Sequence, residues 1–161
     1  MMHHVSIRTA NIHRAIAFYE RLGFTVCERF TTGSTLACWM EACDRADGLT
    51  GRIELIEIPE PKPAPDAFHD EHYVGYYHLS FDLTDRVASL PEWLDTLRSR
   101  FGRSVLSDAS KVSDWSDRDQ SEPTLTVLLE PQQQQIGSGI YEVAFIADAD
   151  GLPLELIRRL A

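Results

Sequence analysis

Cysteine is scarce in this chain of 161 residues. There are three, Cys27, Cys38 and Cys43, and no two form a CxxC pair. An odd, scattered count argues against a disulfide framework and against cysteine-rich zinc sites. It points to free thiols in a reducing, cytoplasmic compartment. Positive charge is also short: 15 Lys and Arg stand against 25 Asp and Glu, a formal net charge of −10. Nucleic-acid binding needs a positive footprint, so that class of partner is not expected. No apolar run approaches the roughly 20 residues that span a bilayer. The first residues lack a basic segment followed by an apolar one, so neither a signal peptide nor a membrane role is expected. Apolar and charged fractions of 43% and 25% are those of an ordinary globular domain.

What is present reads as two cycles of the same elements. Val5 to Thr9 reads as a strand in which His4, Ser6 and Arg8 share one face and Val5 and Ile7 the other. Asn11 is placed to cap a helix whose stripe is Ile12, Ala15, Ile16 and Tyr19, and Gly23 ends it. Strands are expected at 24–30, 35–40 and 52–58, with Gly33 and 44–51 as turns. Residues 59–75 carry four prolines and read as a linker. The cycle then restarts: a strand at 77–83, a helix at about 87–100 with Pro91 near its start, then apolar segments at 105–106, 125–129 and 140–146. A last strand at 154–157 follows the turn Asp148-Ala149-Asp150-Gly151. The expected fold is α+β: one βαβββ module in 1–58 and a second in 76–161.

The two cycles carry matching polar residues. His4-Val5-Ser6-Ile7 is echoed by His78-Leu79-Ser80-Phe81, and Ile53-Glu54-Leu55-Ile56 by Leu154-Glu155-Leu156-Ile157. Two imidazoles and two carboxylates suit a divalent metal such as Ni, Co, Zn, Fe or Mn. A carboxylate inside an apolar strand is costly unless water or a metal reaches it. The histidines lie 74 residues apart and the glutamates 101, so the second cycle holds 27 extra residues. These are placed mainly in 107–138, where Ser, Asp and Gln are frequent, as a surface excursion or lid.

This arrangement resembles the vicinal oxygen chelate superfamily, which includes glyoxalases, bleomycin-resistance proteins and dioxygenases. The stretch NIHRAIAFYERLGF is similar to its first helix and following turn, and DADGLPLELI to its last turn and strand. The resemblance implies two modules with curved sheets around a metal-binding cleft, with His4, Glu54, His78 and Glu155 as ligands. Within the superfamily the set is most similar to glyoxalase I. That implies one divalent ion per site (Ni, Co or Zn first, then Fe or Mn), a small-molecule substrate and a homodimer. It also implies proton transfer between adjacent carbons of an alpha-hydroxycarbonyl thiol adduct, with Glu155 as base and Glu54 on the other side. Arg8 matches a position that holds a carboxylate of glutathione, which a guanidinium fork suits. Ile58 stands where glyoxalase I usually has asparagine.

Plainer readings compete at each residue. His4 is preferred to His3 because alternation sends His3 to the opposite face. Glu57 faces away from Glu54 and reads as a solvated edge charge. Arg8 as an ion-pair partner of Glu54 or of another carboxylate is an even alternative. His13, His69 and His72 read as surface residues. Trp93 and Trp115 carry no assignment, and Trp39 reads as core, although it is also placed to line a cleft. Other functions on the same scaffold stay open: an acyl-CoA epimerase, a dioxygenase, or a resistance protein that sequesters a small molecule. Phe145 occupies the tyrosine position of ring-cleaving dioxygenases, which counts against that reading.

Overall fold

A computed structural model describes residues 2–42, 51–102 and 122–161. Ten elements follow in order: β1 (Val5–Thr9), α1 (Ile12–Arg21), β2 (Phe24–Thr32), β3 (Thr35–Ala42), β4 (Arg52–Glu57), β5 (Leu79–Asp82), α2 (Leu90–Gly102), β6 (Thr126–Ile136), β7 (Gly139–Ala147) and β8 (Pro153–Arg159). They build two four-stranded mixed sheets of identical order, β1-β4-β3-β2 and β5-β8-β7-β6. In each, the first and last strands of the module pair in parallel and the rest antiparallel. The fold is α+β, as the two cycles imply, and the sheets do not close on each other.

The helices form where the chain caps them. Asn11 Oδ1 accepts from Arg14 N at 2.9 Å, satisfying a first-turn amide. Ile12, Ala15, Ile16, Phe18 and Tyr19 then bury one side of α1. Gly23, at φ 99°, takes the left-handed conformation that ends the helix. Ser89 Oγ accepts from Glu92 N at the start of α2, and Pro91 lies in its first turn.

α1 packs against β2 and β4 of the first sheet, α2 against β6, β7 and β8 of the second, the two helices touch, and one core results. Ile7, Ile53 and Leu55 of the first sheet share it with Phe81, Leu154 and Leu156 of the second and with Phe18, Leu94 and Leu97 of the helices. Phe24 meets Phe81 at 6.0 Å between ring centres, and Phe18 meets Phe101 at 5.2 Å. A polar seam joins the modules as well. Asp150 accepts from Thr9 Oγ1 at 2.5 Å, Ala10 N at 3.2 Å and Arg14 Nη2 at 3.3 Å. Buried Asp148 accepts from Tyr19 Oη at 3.0 Å and from the amides of Asp150 and Leu152. Desolvation raises the Asp148 carboxyl above its ordinary range, and it raises the Tyr19 phenol well above 10.0.

Three expectations change. Residues 126–136 form a regular strand: Gln132 to Gln135 pair with Val143 to Ile140, and Gly137 turns the hairpin at φ 60°. The chain added to the second cycle therefore falls mainly between α2 and β6, in 103–125, whereas residues 22–23 alone join α1 to β2. The segment 105–106, Cys43, Trp115 and most of the rest of that stretch lie outside the described residues. Glu57 is not merely solvated: its Oε2 accepts from Ile12 N at 3.0 Å, placing a carboxylate at the positive end of α1. The third change concerns His3, at the site itself.

Candidate metal centre

The shared core decides where the candidate ligands point. Side chains alternate along a strand. Because Ile7, Ile53, Leu55, Phe81, Leu154 and Leu156 face the core, Ser6, Glu54, Ser80 and Glu155 face away from it. In the first sheet Ser6 is in register with Glu54, and Glu54 with Trp39. In the second Ser80 is in register with Glu155, and Glu155 with Phe145. Each module thus carries the same rung: serine, glutamate, aromatic. A histidine stands two residues before each serine.

The two histidine–glutamate pairs are near copies. His4 Nε2 lies 3.4 Å from Glu54 Oε2, and His78 Nε2 lies 3.3 Å from Glu155 Oε2. Their side chains are 27% and 14% exposed in the first pair and 25% and 13% in the second. Ser6 Oγ also donates to Glu54 Oε2. Glu54 is therefore engaged by Ser6 and His4, and Arg8 is exposed with no ion-pair partner among the described residues. The ion pair of Arg8 with Glu54 is not formed.

His3 does not turn to the opposite side. Regular strand begins only at Val5, so alternation does not extend back to residue 3. The His3 and His4 Nδ1 atoms are 2.8 Å apart, and both rings flank Trp39, at 5.5 and 6.0 Å. Arg52, which bonds Glu41, stacks 5.5 Å from the Trp39 ring and reaches His3 Nε2 at 2.9 Å. Trp39 thus lines the ligand-bearing face rather than the core, while Trp93 is in the core. Register would have found it, because the residue paired with each glutamate is aromatic in both modules.

Around the second pair the neighbours are apolar. Phe145 lies 5.2 Å from His78 and Tyr77 lies 4.6 Å from it. Phe68, from the segment between the modules, meets Phe145 at 5.2 Å and Tyr77 at 6.4 Å. Nothing in the sequence singled out Phe68. Of the outlying histidines, His69 pairs with Asp66 at 2.9 Å in an exposed turn and His72 is exposed. The Cys38 thiol is pushed up to about 11, chiefly by burial, and Cys27 is exposed.

The donor set suits a divalent ion: imidazole nitrogen and carboxylate oxygen converge within each pair. His78 Nδ1 and Trp39 Nε1 are buried without a hydrogen-bond partner among the described residues, while His78 Nε2 is the ring nitrogen that faces Glu155. Among the described residues no three His, Cys, Asp or Glu side chains gather closely enough to hold a metal. One chain therefore presents two separate two-donor pairs. No described helix is long and apolar enough to cross a membrane.

Known proteins share this architecture. A glyoxalase family protein from Enterococcus faecalis superposes with a TM-score of 0.63 at 19% identity, covering 98% of this chain and 96% of that one. One from Bacillus cereus gives 0.59 at 20%, covering 99% and 94%. The trypanothione-dependent glyoxalase I of Leishmania major gives 0.55 at 19%, covering 98% and 86%. No curated protein sequence matches. A family model, however, matches residues 1–156. The chain belongs to the Glyoxalase/Bleomycin resistance protein/Dioxygenase superfamily.

Proposed function

We propose that this protein is a metal-dependent lyase or isomerase of the glyoxalase I type, acting on a small molecule with two adjacent oxygens. The observation that carries the reading is the mirrored pair His4–Glu54 and His78–Glu155, with matching separations and exposure. Four donors suit one ion, and each pair supplies two. Both pairs face away from the core their modules share. The reading therefore has the first module of one chain meet the second module of another in a closed two-fold homodimer. The likeness to glyoxalase family structures supports the scaffold and leaves the reaction to be tested.

A divalent ion held by His4, Glu54, His78 and Glu155 would polarise the substrate carbonyl and acidify the neighbouring C–H. The chain's own groups do the rest. Glu155 is the base that takes the proton from one carbon and returns it to the next, and Glu54 works on the other side of the substrate. Ser6 fixes Glu54 by donating to its Oε2. Arg8, exposed on the same face and without an ion-pair partner among the described residues, takes a substrate carboxylate in its fork. Ile58 offers no side-chain hydrogen bond where glyoxalase I usually has asparagine, so a thiol carrier other than glutathione fits the same chemistry.

An epimerase usually has glutamine at Glu54, and a ring-cleaving dioxygenase has tyrosine at Phe145. Both substitutions favour the isomerase reading. Protein loaded with Ni, Co or Zn and given methylglyoxal with glutathione is expected to form lactoylglutathione. Stoichiometric metal binding without turnover by any of these metals, on this or another thiol adduct, would sink the reaction.

A further inference from the structure

The two half-sites are alike in their donors and unlike in their walls. Position by position, His3 of the first module answers to Tyr77 of the second, and Trp39 to Phe145. Arg52 answers to Pro153, and Glu41 to Ala147. Arg8 answers to Asp82, so the contrast lies around the aromatic of each rung: in the first module Arg52 bonds Glu41 and His3 beside Trp39. The second carries Tyr77 and Phe145 beside His78 and adds Phe68, which has no counterpart in the first module.

These three rings make a continuous surface. Tyr77 and Phe145 are within 30° of parallel at 6.0 Å, and Phe68 leans on both. Phe145 is 6% exposed and so forms the floor, whereas Tyr77 is 44% exposed and leaves ring surface free. A group next to oxygens held at His78 and Glu155 would lie against this surface. Ring faces and edges pair favourably with another ring, and each such contact is worth roughly twofold to tenfold in affinity.

We propose that Phe68, Tyr77 and Phe145 form an aryl-recognising wall of the second half-site, so that the substrate carries an aromatic group beside its two oxygens. Phe68, contributed by the segment between the modules, is the specificity-determining residue. This inference rests on the metal-site reading and names the substrate class for it.

Hydroxamates test it without needing turnover, because they offer two adjacent oxygens to a metal. Benzohydroxamate and acetohydroxamate differ only in phenyl against methyl. Titrated by calorimetry into nickel-loaded protein, benzohydroxamate is expected to bind about tenfold or more tightly than acetohydroxamate. In Phe68→Ala that ratio should fall to about one, with partial recovery in Phe68→Leu and full recovery in Phe68→Tyr. Circular dichroism melts check that each variant is folded. Equal affinities in the unsubstituted protein, or a ratio unmoved by Phe68→Ala, would overturn the aryl wall. Failure of the protein to take up nickel would overturn the metal site, whereas nickel-loaded protein that binds neither compound would overturn this inference. A preserved preference without turnover on any thiol adduct would overturn only the reaction.

Discussion

Ser6 stands directly across from Glu54 in the parallel pairing of β1 with β4, and its hydroxyl donates to that carboxylate. The bond fixes the oxygen that also faces His4. Groups that orient a ligand commonly contribute 10- to 100-fold to metal affinity. Ser6→Ala is expected to weaken nickel binding by about tenfold while changing unfolding free energy by less than about 1 kcal/mol. Calorimetry and urea unfolding measure the two. Unchanged affinity would mean Glu54 needs no such support.

Glu155→Gln separates the base from the fold. The carboxylate faces away from the core, so the variant should unfold within about 1 kcal/mol of the parent. Its kcat should fall by about 100-fold or more, the usual contribution of a general base. Steady-state kinetics on the metal-loaded enzyme would show it. A kcat within a few-fold of the parent would move the proton transfer to another group.

The seam between modules responds to pH through Asp148. Burial raises this carboxyl in the folded protein, outweighing the three hydrogen bonds it accepts. The folded state thus holds the proton more tightly than the unfolded chain. The resulting stability is fully present below the ordinary carboxylate pKa, about 4, and is lost as pH rises through the raised value. Asp148→Asn removes the titration. The stability of the parent relative to this variant should be greater at pH 4 than at pH 7 in urea unfolding. A difference constant across that range would show that Asp148 does not titrate there. Tyr19→Phe, which deletes one of its donors, should cost about 1 kcal/mol.

Burial also protects a thiol. Cys38 has no exposed surface and its pKa is raised to about 11. Iodoacetamide at pH 8 should modify exposed Cys27 and leave Cys38 unmodified until the protein is unfolded. Peptide mass spectrometry reads this directly. Rapid labelling of native Cys38 would show that the first sheet opens locally.

Much of this was legible from residues alone. The cap at Asn11, the stripe of α1 and the turn at Asp148 to Gly151 are local signals, and they form as read. The duplicated His and Glu were legible because the core faces alternate strictly in the strands that carry them. β6 was not, because Gln132 to Gln135 lie in a strand with much solvent exposure, without an apolar alternation. Their conformation is set by pairing with β7, a long-range contact that the segment itself does not encode. The role of Glu57 is long-range in the same way: the amide it meets belongs to a helix 45 residues earlier. His3 precedes β1, which begins at Val5, so strand alternation does not govern its side. Phe68 sits in a segment of linker composition, and its role depends on a fold that brings Phe145 to it.

In the proposed homodimer each chain carries two half-sites that complete one another only between chains. Two double variants test it: His4→Ala with Glu54→Ala, and His78→Ala with Glu155→Ala. Neither alone should bind nickel tightly. Mixed, dissociated and reassociated, they should regain one full site per mixed dimer, seen as high-affinity nickel binding at about half a site per dimer in the population. A mixture that binds no more nickel than its two components do separately would contradict the account.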